Sequence, residues 1–247
     1  MKTKHLKVDL HIHTKEDPED RISYSAYELI AQASLKGFDV LAITNHQRVT
    51  YSPGLKSYAA ERGIVLIPGV EATIEGKHIL LVNMPFQNSC FNSFEDVLKK
   101  KAEDNLVIAP HPYFPGPTCL DRQLEATPHL FDAIEYCHFY NHWMNFNIQA
   151  VRFAQKYRLP VVGNSDSHVL DQFGLTYSLV EAEKDPDAII QAIKAGRVKP
   201  VSRPLPLVLL MRIFVGVTIS KGPMWKKPLE LMLTGGSFIK RVLYGRP

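Results

Sequence analysis

Two histidines separated by one residue, in Asp9-Leu10-His11-Ile12-His13, fall on one face if the segment is a strand, because successive side chains alternate. Imidazole is the commonest metal ligand, so two on one face suit a cation, whereas the bland alternative is a polar strand face open to water. Leu10 and Ile12 on the other face argue for a buried strand, where unpaired polar groups are costly. Similar groups end other apolar runs: His46 follows Leu41-Ala42-Ile43-Thr44-Asn45, Glu71 follows Ile67-Pro68-Gly69-Val70, His111 follows Leu106-Val107-Ile108-Ala109-Pro110, and Asp166 and His168 follow Val161-Val162-Gly163. One such residue is ordinarily a loop polar group, but the joint pattern is what a metal site at a barrel mouth requires. Carboxylates and imidazoles without thiolate suit Zn, Mn or Fe and do not choose among them.

The elements that must position these groups are short apolar, β-branched runs: Leu6 to Ile12, Val40 to Thr44, Ile64 to Val70, His78 to Met84, Leu106 to Pro110, Ala133 to Cys137, Val161 to Asn164 and Tyr177 to Val180. They alternate with helical patterns, which predicts an α/β architecture with largely parallel strands. Ser25 and Glu28 have capping-box spacing, Leu29, Ile30 and Ala33 supply an apolar face, and Gly37 is a stop signal. Asp185, Pro186, Ile189, Ile190, Ile193 and Gly196 mark a second helix in the same way. About seven or eight strands with helices between them suggest a barrel whose functional side chains collect where strands end.

A main domain over residues 1–203 and a short C-terminal extension over 204–247 are expected. Pro204 and Pro206 break the chain, and Leu205 to Ile219 is apolar apart from Arg212 and the prolines. That run falls short of the roughly 20 apolar residues of a spanning helix. Beyond it, Trp225, Leu229, Leu231, Met232 and Phe238 mix with Lys221, Lys226, Lys227, Lys240 and Arg241. This mixture permits amphipathic helices that meet a membrane or a partner or self-associate, but packing on the barrel is the favoured reading.

The 247 residues, 45% hydrophobic and 22% charged, fit one medium-sized globular domain with a small appendage. A net charge of +4 suits a mildly anionic substrate and is too small to predict a stable nucleic-acid partner. Cys90, Cys119 and Cys137 form no CxxC pair, which excludes a zinc ribbon and fits a reducing compartment. Met1 to Lys7 is basic, but Val8 to His13 is too short and polar for a signal-peptide core, so a cytoplasmic protein is expected.

Together, Asp9-Leu10-His11-Ile12-His13-Thr14, Ile43-Thr44-Asn45-His46, Pro68-Gly69-Val70-Glu71, His111-Pro112 and Asn164-Ser165-Asp166-Ser167-His168 resemble the ordered motifs of the PHP (polymerase and histidinol phosphatase) superfamily over about residues 6 to 200. The resemblance implies a distorted (β/α)7 barrel of PHP type with two or three divalent metal ions. It places the first ion on His11, His13, Glu71 and Asp166, with Glu71 bridging to a second at His111 and His78. A third would use His46 and His168 with Asp17, or else Asp20, from the loop after the first strand. The sequence departs from the family pattern at Asn45, where many relatives have Asp; an amide there suits a hydrogen bond to His46 or a neighbour and weakens the third position. His138 is placed at the mouth as a core or substrate-facing residue in preference to a ligand.

The implied activity is metal-dependent hydrolysis of a phosphomonoester or phosphodiester of a small metabolite, nucleotide or short oligonucleotide, by in-line attack of a metal-held hydroxide, with His11, His13, Glu71, Asp166 and His168 as the catalytic set. Asp9 is expected to orient a ligand histidine. Lys15, Arg48 and Lys77 are read as solvated surface charges before phosphate contacts, and Tyr113 to Asp121 as a Pro- and Gly-rich loop that either covers the mouth or is a surface excursion. No GxSxG elbow, P-loop or GxGxxG fingerprint is present, so serine hydrolase, NTPase and dinucleotide readings fall away. A metal amidohydrolase, which also begins with His-x-His on a first barrel strand, and a catalytically weak metal-binding regulatory module are the alternatives.

Overall fold

Aliphatic runs too short for helices become strands buried on both faces. In the computed structural model, which describes residues 5–86 and 91–220, they are β1 (His5–Asp9), β2 (Val40–Ile43), β3 (Val65–Ile74), β4 (Lys77–Val82), β5 (Leu106–Ala109), β6 (Ala133–Tyr136), β7 (Val161–Gly163), β8 (Tyr177–Glu181) and β9 (Val198–Val201). The helices are α1 (Ala26–Leu35), α2 (Pro53–Glu61), α3 (Phe94–Lys100), α4 (Arg122–Ala126), α5 (Asn147–Tyr157), α6 (Pro186–Lys194) and α7 (Leu207–Ser220). Ser25 and Glu28 form the capping box of α1, and the Asp185 carboxylate accepts the first N–H groups of α6, as the cap residues predict.

The strands make one sheet in the order β7-β6-β5-β4-β3-β2-β1-β8-β9. Its two ends meet, with β7 lying against β8 and β9, so the sheet is barrel-shaped and nearly closed. The fold is α/β, but the strands are less uniformly parallel than expected. β4 runs antiparallel to both β3 and β5, and β8 and β9 add antiparallel pairings beside β1. The cause is local: β3 and β4 are joined by Glu75-Gly76, both at positive φ, a two-residue hairpin turn that no crossover helix could replace. β9 escapes a pattern search because Lys199 and Pro200 interrupt its apolar residues, and Pro is tolerated there on an edge strand.

One face of each strand from β1 to β8 contributes to an interior cluster that includes Leu6, Val8, Val40, Ile67, Leu80, Leu106, Ala133, Val162 and Val180, closed by Ile189, Ile190 and Ile193 of α6. Two outer clusters lie under α1 and α2 and under α3 to α5. The seam between β7 and β8 depends on a missing side chain. A Cβ on Gly163 would meet the Tyr177 carbonyl oxygen at 2.7 Å. Ser178 fills the remaining gap: its Oγ accepts the Gly163 N–H at 2.9 Å and donates to the Gly163 carbonyl at 3.0 Å. Nearer the mouth, the segment after β7 closes onto the end of β1, where Leu10 N–H donates to Asn164 Oδ1 at 2.9 Å and Asp166 N–H to the His11 carbonyl at 2.8 Å.

The expected extension boundary falls in an irregular stretch with Pro204 and Pro206, after which α7 begins. Leu205, Leu210 and Ile213 are buried against Phe139, Val169 and Leu175, so this part packs on the barrel. Trp225, Leu229, Leu231, Met232, Phe238 and the basic residues among them lie outside the described residues, as does Cys90.

Gly163→Ala is expected to destabilise the protein by about 1–3 kcal/mol, the usual cost of overpacking, read as a lower Tm; an unchanged Tm would show that the seam tolerates a methyl group.

Candidate metal centre

β1, β2, β3, β5, β6 and β7 point the same way, so their C-terminal ends share one mouth. His11 and His13 follow β1, His46 follows β2, His111 follows β5, and Asp166 and His168 follow β7. Glu71 lies within β3, not beyond it, because the strand continues past its β2 partner into the hairpin with β4. His78 stands at the start of β4, and the reversed direction of that strand brings it to the same mouth, where it pairs with Thr73.

Four donor atoms converge most closely. His11 Nε2 and His13 Nε2 are 3.3 Å apart, both are 3.3 Å from Asp166 Oδ1, and they lie 3.3 and 3.2 Å from Glu71 Oε2. His11, His13 and Glu71 form one group of donors close enough to share a cation, and His13, Asp166 and His168 another, at the spacing that metal–ligand bonds of about 2.0–2.2 Å require. The donor set therefore fits a divalent cation. Glu71 Oε1 faces the other way, 3.3 Å from His111 Nε2 and 2.6 Å from His78 Nδ1. The His78 contact has no hydrogen-bond geometry, and Nδ1 is buried without a partner. A buried imidazole nitrogen without a hydrogen bond, grouped with Glu71 and His46, is what a second cation bound by these residues would explain.

In the third grouping Asp20 Oδ2 lies 3.0 Å from His168 Nε2 and 3.8 Å from His46 Nδ1. His46 Nε2 turns to Glu71 Oε2 at 3.2 Å, and its ring centre lies 6.3 Å from that of His168. Asp17 sits behind the rings: its Oδ2 meets Nδ1 of both His13 and His46 at 2.9 Å and accepts the His46 N–H, while Oδ1 accepts the N–H groups of Glu19 and Asp20. Asp17 thus fixes two imidazoles with their Nε2 atoms inward. Asp20 is the loop carboxylate on His168, with Oδ2 3.0 Å from Nε2.

Two residues that carry the site went unremarked in the sequence. Glu135, fully buried in β6, holds His11 Nδ1 at 2.9 Å, accepts Asn164 Nδ2 at 2.8 Å and accepts the His111 N–H at 2.8 Å. The signal was a lone Glu inside the apolar run Ala133 to Tyr136. Cys119 Sγ lies 3.3 Å from His111 Nδ1 and supports that ring from behind. His111 and Asp166 both have positive φ, 29° and 46°, a conformation non-glycine residues adopt only when the surroundings enforce it.

The charges explain one another. Burial by itself lowers the His11 pKa, but Glu135, Asp166 and Glu71 overcome it and raise the ring to about 10. His13 is likewise raised against its burial, by Asp166, Asp17 and Glu71. Burial pushes Glu71 up, yet His78, His11 and His46 hold it well below the usual carboxylate range. His78 is lowered, because burial outweighs the pull of Glu71. Without a cation, protons on His11 and His13 supply the positive charge that the buried carboxylates demand.

Other expected residues take different places. Asn45 ligates nothing: its Oδ1 accepts Thr14 N–H at 2.8 Å and its Nδ2 donates to Thr14 and Thr50 hydroxyls, so it ties the loop after β1 to that after β2. Asp9 braces main chain, accepting from the N–H groups of His11 and Ser165, while burial pushes its carboxyl up to about 7. Lys77 donates to the carbonyls of Pro117 and Cys119, anchoring the Tyr113 to Asp121 loop, and Arg48 donates to the Glu16 carbonyl. Lys15 is exposed. His138 is buried with Nε2 2.8 Å from Gln172 Nε2 and with Nδ1 unpartnered.

Comparison with known proteins agrees with this layout. The PHP-associated family, PHP_C, matches residues 145–198. The protein MJ1587 of Methanocaldococcus jannaschii is 32% identical over 120 residues, covering 44% of this chain and 70% of that one. A two-domain protein of Bacteroides vulgatus containing a predicted PHP-like metal-dependent phosphoesterase superposes with a TM-score of 0.62 at 19% identity, covering 87% of this chain and 70% of that one. The chain belongs to the PHP superfamily. Two further folds of this kind are the lesion-specific endonuclease EndoQ of Pyrococcus furiosus (TM-score 0.57, 17% identity, 79% of this chain and 57% of that one) and an amidohydrolase of Chromobacterium violaceum (0.55, 15%, 78% and 97%). At these identities the PHP-type barrel is what is shared.

Burial holds His138 neutral, with its pKa lowered to about 4. The unfolded chain takes up this proton near pH 6.5 and the folded one does not, so the residue's contribution is intact above about pH 6.5 and is lost as pH falls toward 4, by at most about 3 kcal/mol. His138→Gln is expected to flatten this part of the acid limb in urea titrations at pH 7 and pH 4.5; parallel curves for the two proteins would refute it.

Proposed function

We propose that this chain hydrolyses phosphate esters, monoesters or diesters of a small metabolite, nucleotide or short oligonucleotide, with divalent metal ions held at the barrel mouth. The observation that carries the reading is that Glu71 and Asp166 each bring a carboxylate oxygen within 3.2–3.3 Å of both His11 Nε2 and His13 Nε2, beside a His78 Nδ1 that has no hydrogen bond. In this reading the first ion is held by those four residues, the second by Glu71, His78 and His111 with His46 adjacent, and a third position by His168 and Asp20. Zinc, manganese and iron all suit such donors. Bound there, the ions would acidify water near neutral pH and neutralise charge developing on the phosphoryl oxygens.

The protein's own groups prepare this chemistry. Glu135 keeps the His11 proton on Nδ1 and Asp17 does the same for His13 and His46, so that each Nε2 lone pair points inward. The interior cluster and α6 seal the barrel beneath the site, which leaves the mouth as the approach. Asp166, His111 and His78 are the more open members, with side chains 18%, 12% and 10% exposed against 0–1% for His11, His13 and Glu71, so substrate reaches the centre from their side. The endonuclease relative favours nucleotide-like substrates among these classes.

The test is elemental analysis together with phosphate release from p-nitrophenyl phosphate, bis-p-nitrophenyl phosphate, nucleotides and short oligonucleotides. Asp166→Ala is expected to lose bound metal and turnover together. Glu135→Gln, which touches only the back of His11, should cost about 10–100-fold in metal affinity. A metal-loaded protein inert on every phosphate ester would overturn the hydrolase reading in favour of a regulatory module, and turnover of cyclic amides in its place would favour an amidohydrolase.

Because His11 and His13 are protonated at neutral pH without a cation, metal uptake should expel protons and its apparent affinity should rise with pH. Calorimetric titration in buffers of different ionisation enthalpy measures this, and a heat that does not depend on the buffer would contradict it.

A further inference from the structure

Over its described side chains α7 is apolar on both sides apart from Arg212, whereas a helix that only covers a water-soluble barrel keeps a polar face. Its inner side is buried against Phe139, Val169 and Leu175. Its outer side presents Leu207, Val208, Met211 and Val215, between 48% and 75% exposed, and Leu207, Met211 and Val215 recur at the four-residue spacing of one stripe. Arg212, paired with Asp171 at 2.8 Å, is the one charged side chain in the helix. Trp143, 83% exposed, stands on the loop to which α7 is docked through Phe139.

Charge indicates what covers this face. In residues 221–247, Lys221, Lys226, Lys227, Lys240, Arg241 and Arg246 stand against Glu230 alone, a net charge of +5, larger than the +4 of the whole chain. The basic excess therefore falls in the sequence that follows α7, where it is interleaved with Met224, Trp225, Leu229, Leu231, Phe238 and Ile239. Basic and large apolar residues together are the composition of a segment that lies in an anionic bilayer surface. A second copy on the same face would set two +5 segments side by side, and folding residues 221–247 back onto α7 would use their apolar groups while leaving the charge without a counterpart.

We infer that the outer face of α7 is a peripheral docking surface for an anionic lipid bilayer, toward which the basic composition of the sequence after it adds attraction. Phe139 and Val169, on which α7 rests, directly follow His138 and His168, so docking there holds the rim of the barrel mouth close to the lipid surface.

Co-sedimentation of the full chain with vesicles of phosphatidylcholine alone, or with about 30 mol% phosphatidylglycerol, tests this. Binding is expected to the anionic vesicles only and to weaken about tenfold or more as salt rises from about 0.1 M to about 1 M, which shortens the screening length from about 10 Å to about 3 Å. Val208→Glu with Met211→Glu, and separately charge reversal at Lys226, Lys227, Lys240 and Arg241, should each weaken it about tenfold or more with an unchanged circular-dichroism melt. If either variant melts early, the lipid and salt dependence of the unaltered chain decides. A chain that stays in the supernatant with both lipids, or binding that both folded variants leave intact, overturns the inference. So does a dimer in light scattering that Val208→Glu with Met211→Glu dissociates while vesicles bind neither form.

Discussion

The carboxylate of Glu71 is 1% exposed and faces five imidazoles, His11, His13 and His46 through one oxygen and His78 and His111 through the other. A negative charge this far from water persists only against positive charge held in fixed positions, since its desolvation costs several kcal/mol. The architecture of the mouth follows from that requirement. Glu71 must sit inside the ring of strand ends, which is why β3 runs on past its β2 partner. The imidazoles must turn their Nε2 or Nδ1 atoms inward, which is why Asp17, Glu135 and Cys119 stand behind them. The barrel must also close, because His11 follows β1 and Asp166 follows β7, strands that are not neighbours in the sheet order, and the two residues meet only where the segment after β7 is bonded to the end of β1.

Closure is bought with small residues and unusual backbone. Gly163 lets β7 approach the β8 backbone, and Ser178 replaces the ladder bonds that so close an approach would otherwise forfeit. His111 and Asp166 take positive φ and are held there by N–H bonds to Glu135 and to the His11 carbonyl. Each held conformation of this sort costs of order 1–3 kcal/mol. The same hydrogen bonds that offset this cost aim the two side chains at the centre.

The strands and most of the converging side chains were legible in the sequence because each polar group directly follows an apolar run, and the run sets both the strand and the end at which the group emerges. The direction of a strand was not legible in that way. A two-residue turn at Glu75-Gly76 reverses β4 and puts its first residues, not its last, at the mouth, so His78 arrives from the unexpected end. Glu135 was hidden by the opposite circumstance, a functional group in the middle of a short run with no polar neighbour to flag it. The separate places of Asp17 and Asp20 depend on loop geometry that two nearby carboxylates cannot disclose by spacing. Asn45, which breaks the family pattern, has a role visible only once Thr14 and Thr50 are seen on either side of it.

The reversal of β4 has a consequence for how such a protein can change. In a barrel of parallel strands every return segment lies at the closed end and every outgoing loop at the mouth, so a new loop at the mouth also alters the span that a crossover helix must cover. The Glu75-Gly76 hairpin is on the mouth side and connects two strands already paired along their length. Residues inserted after Glu75, whose carboxylate accepts the Phe94 N–H at the start of α3, would lengthen the hairpin without changing the register of β3 and β4. That turn is therefore a position at which the rim of the mouth can change length independently of the barrel beneath it.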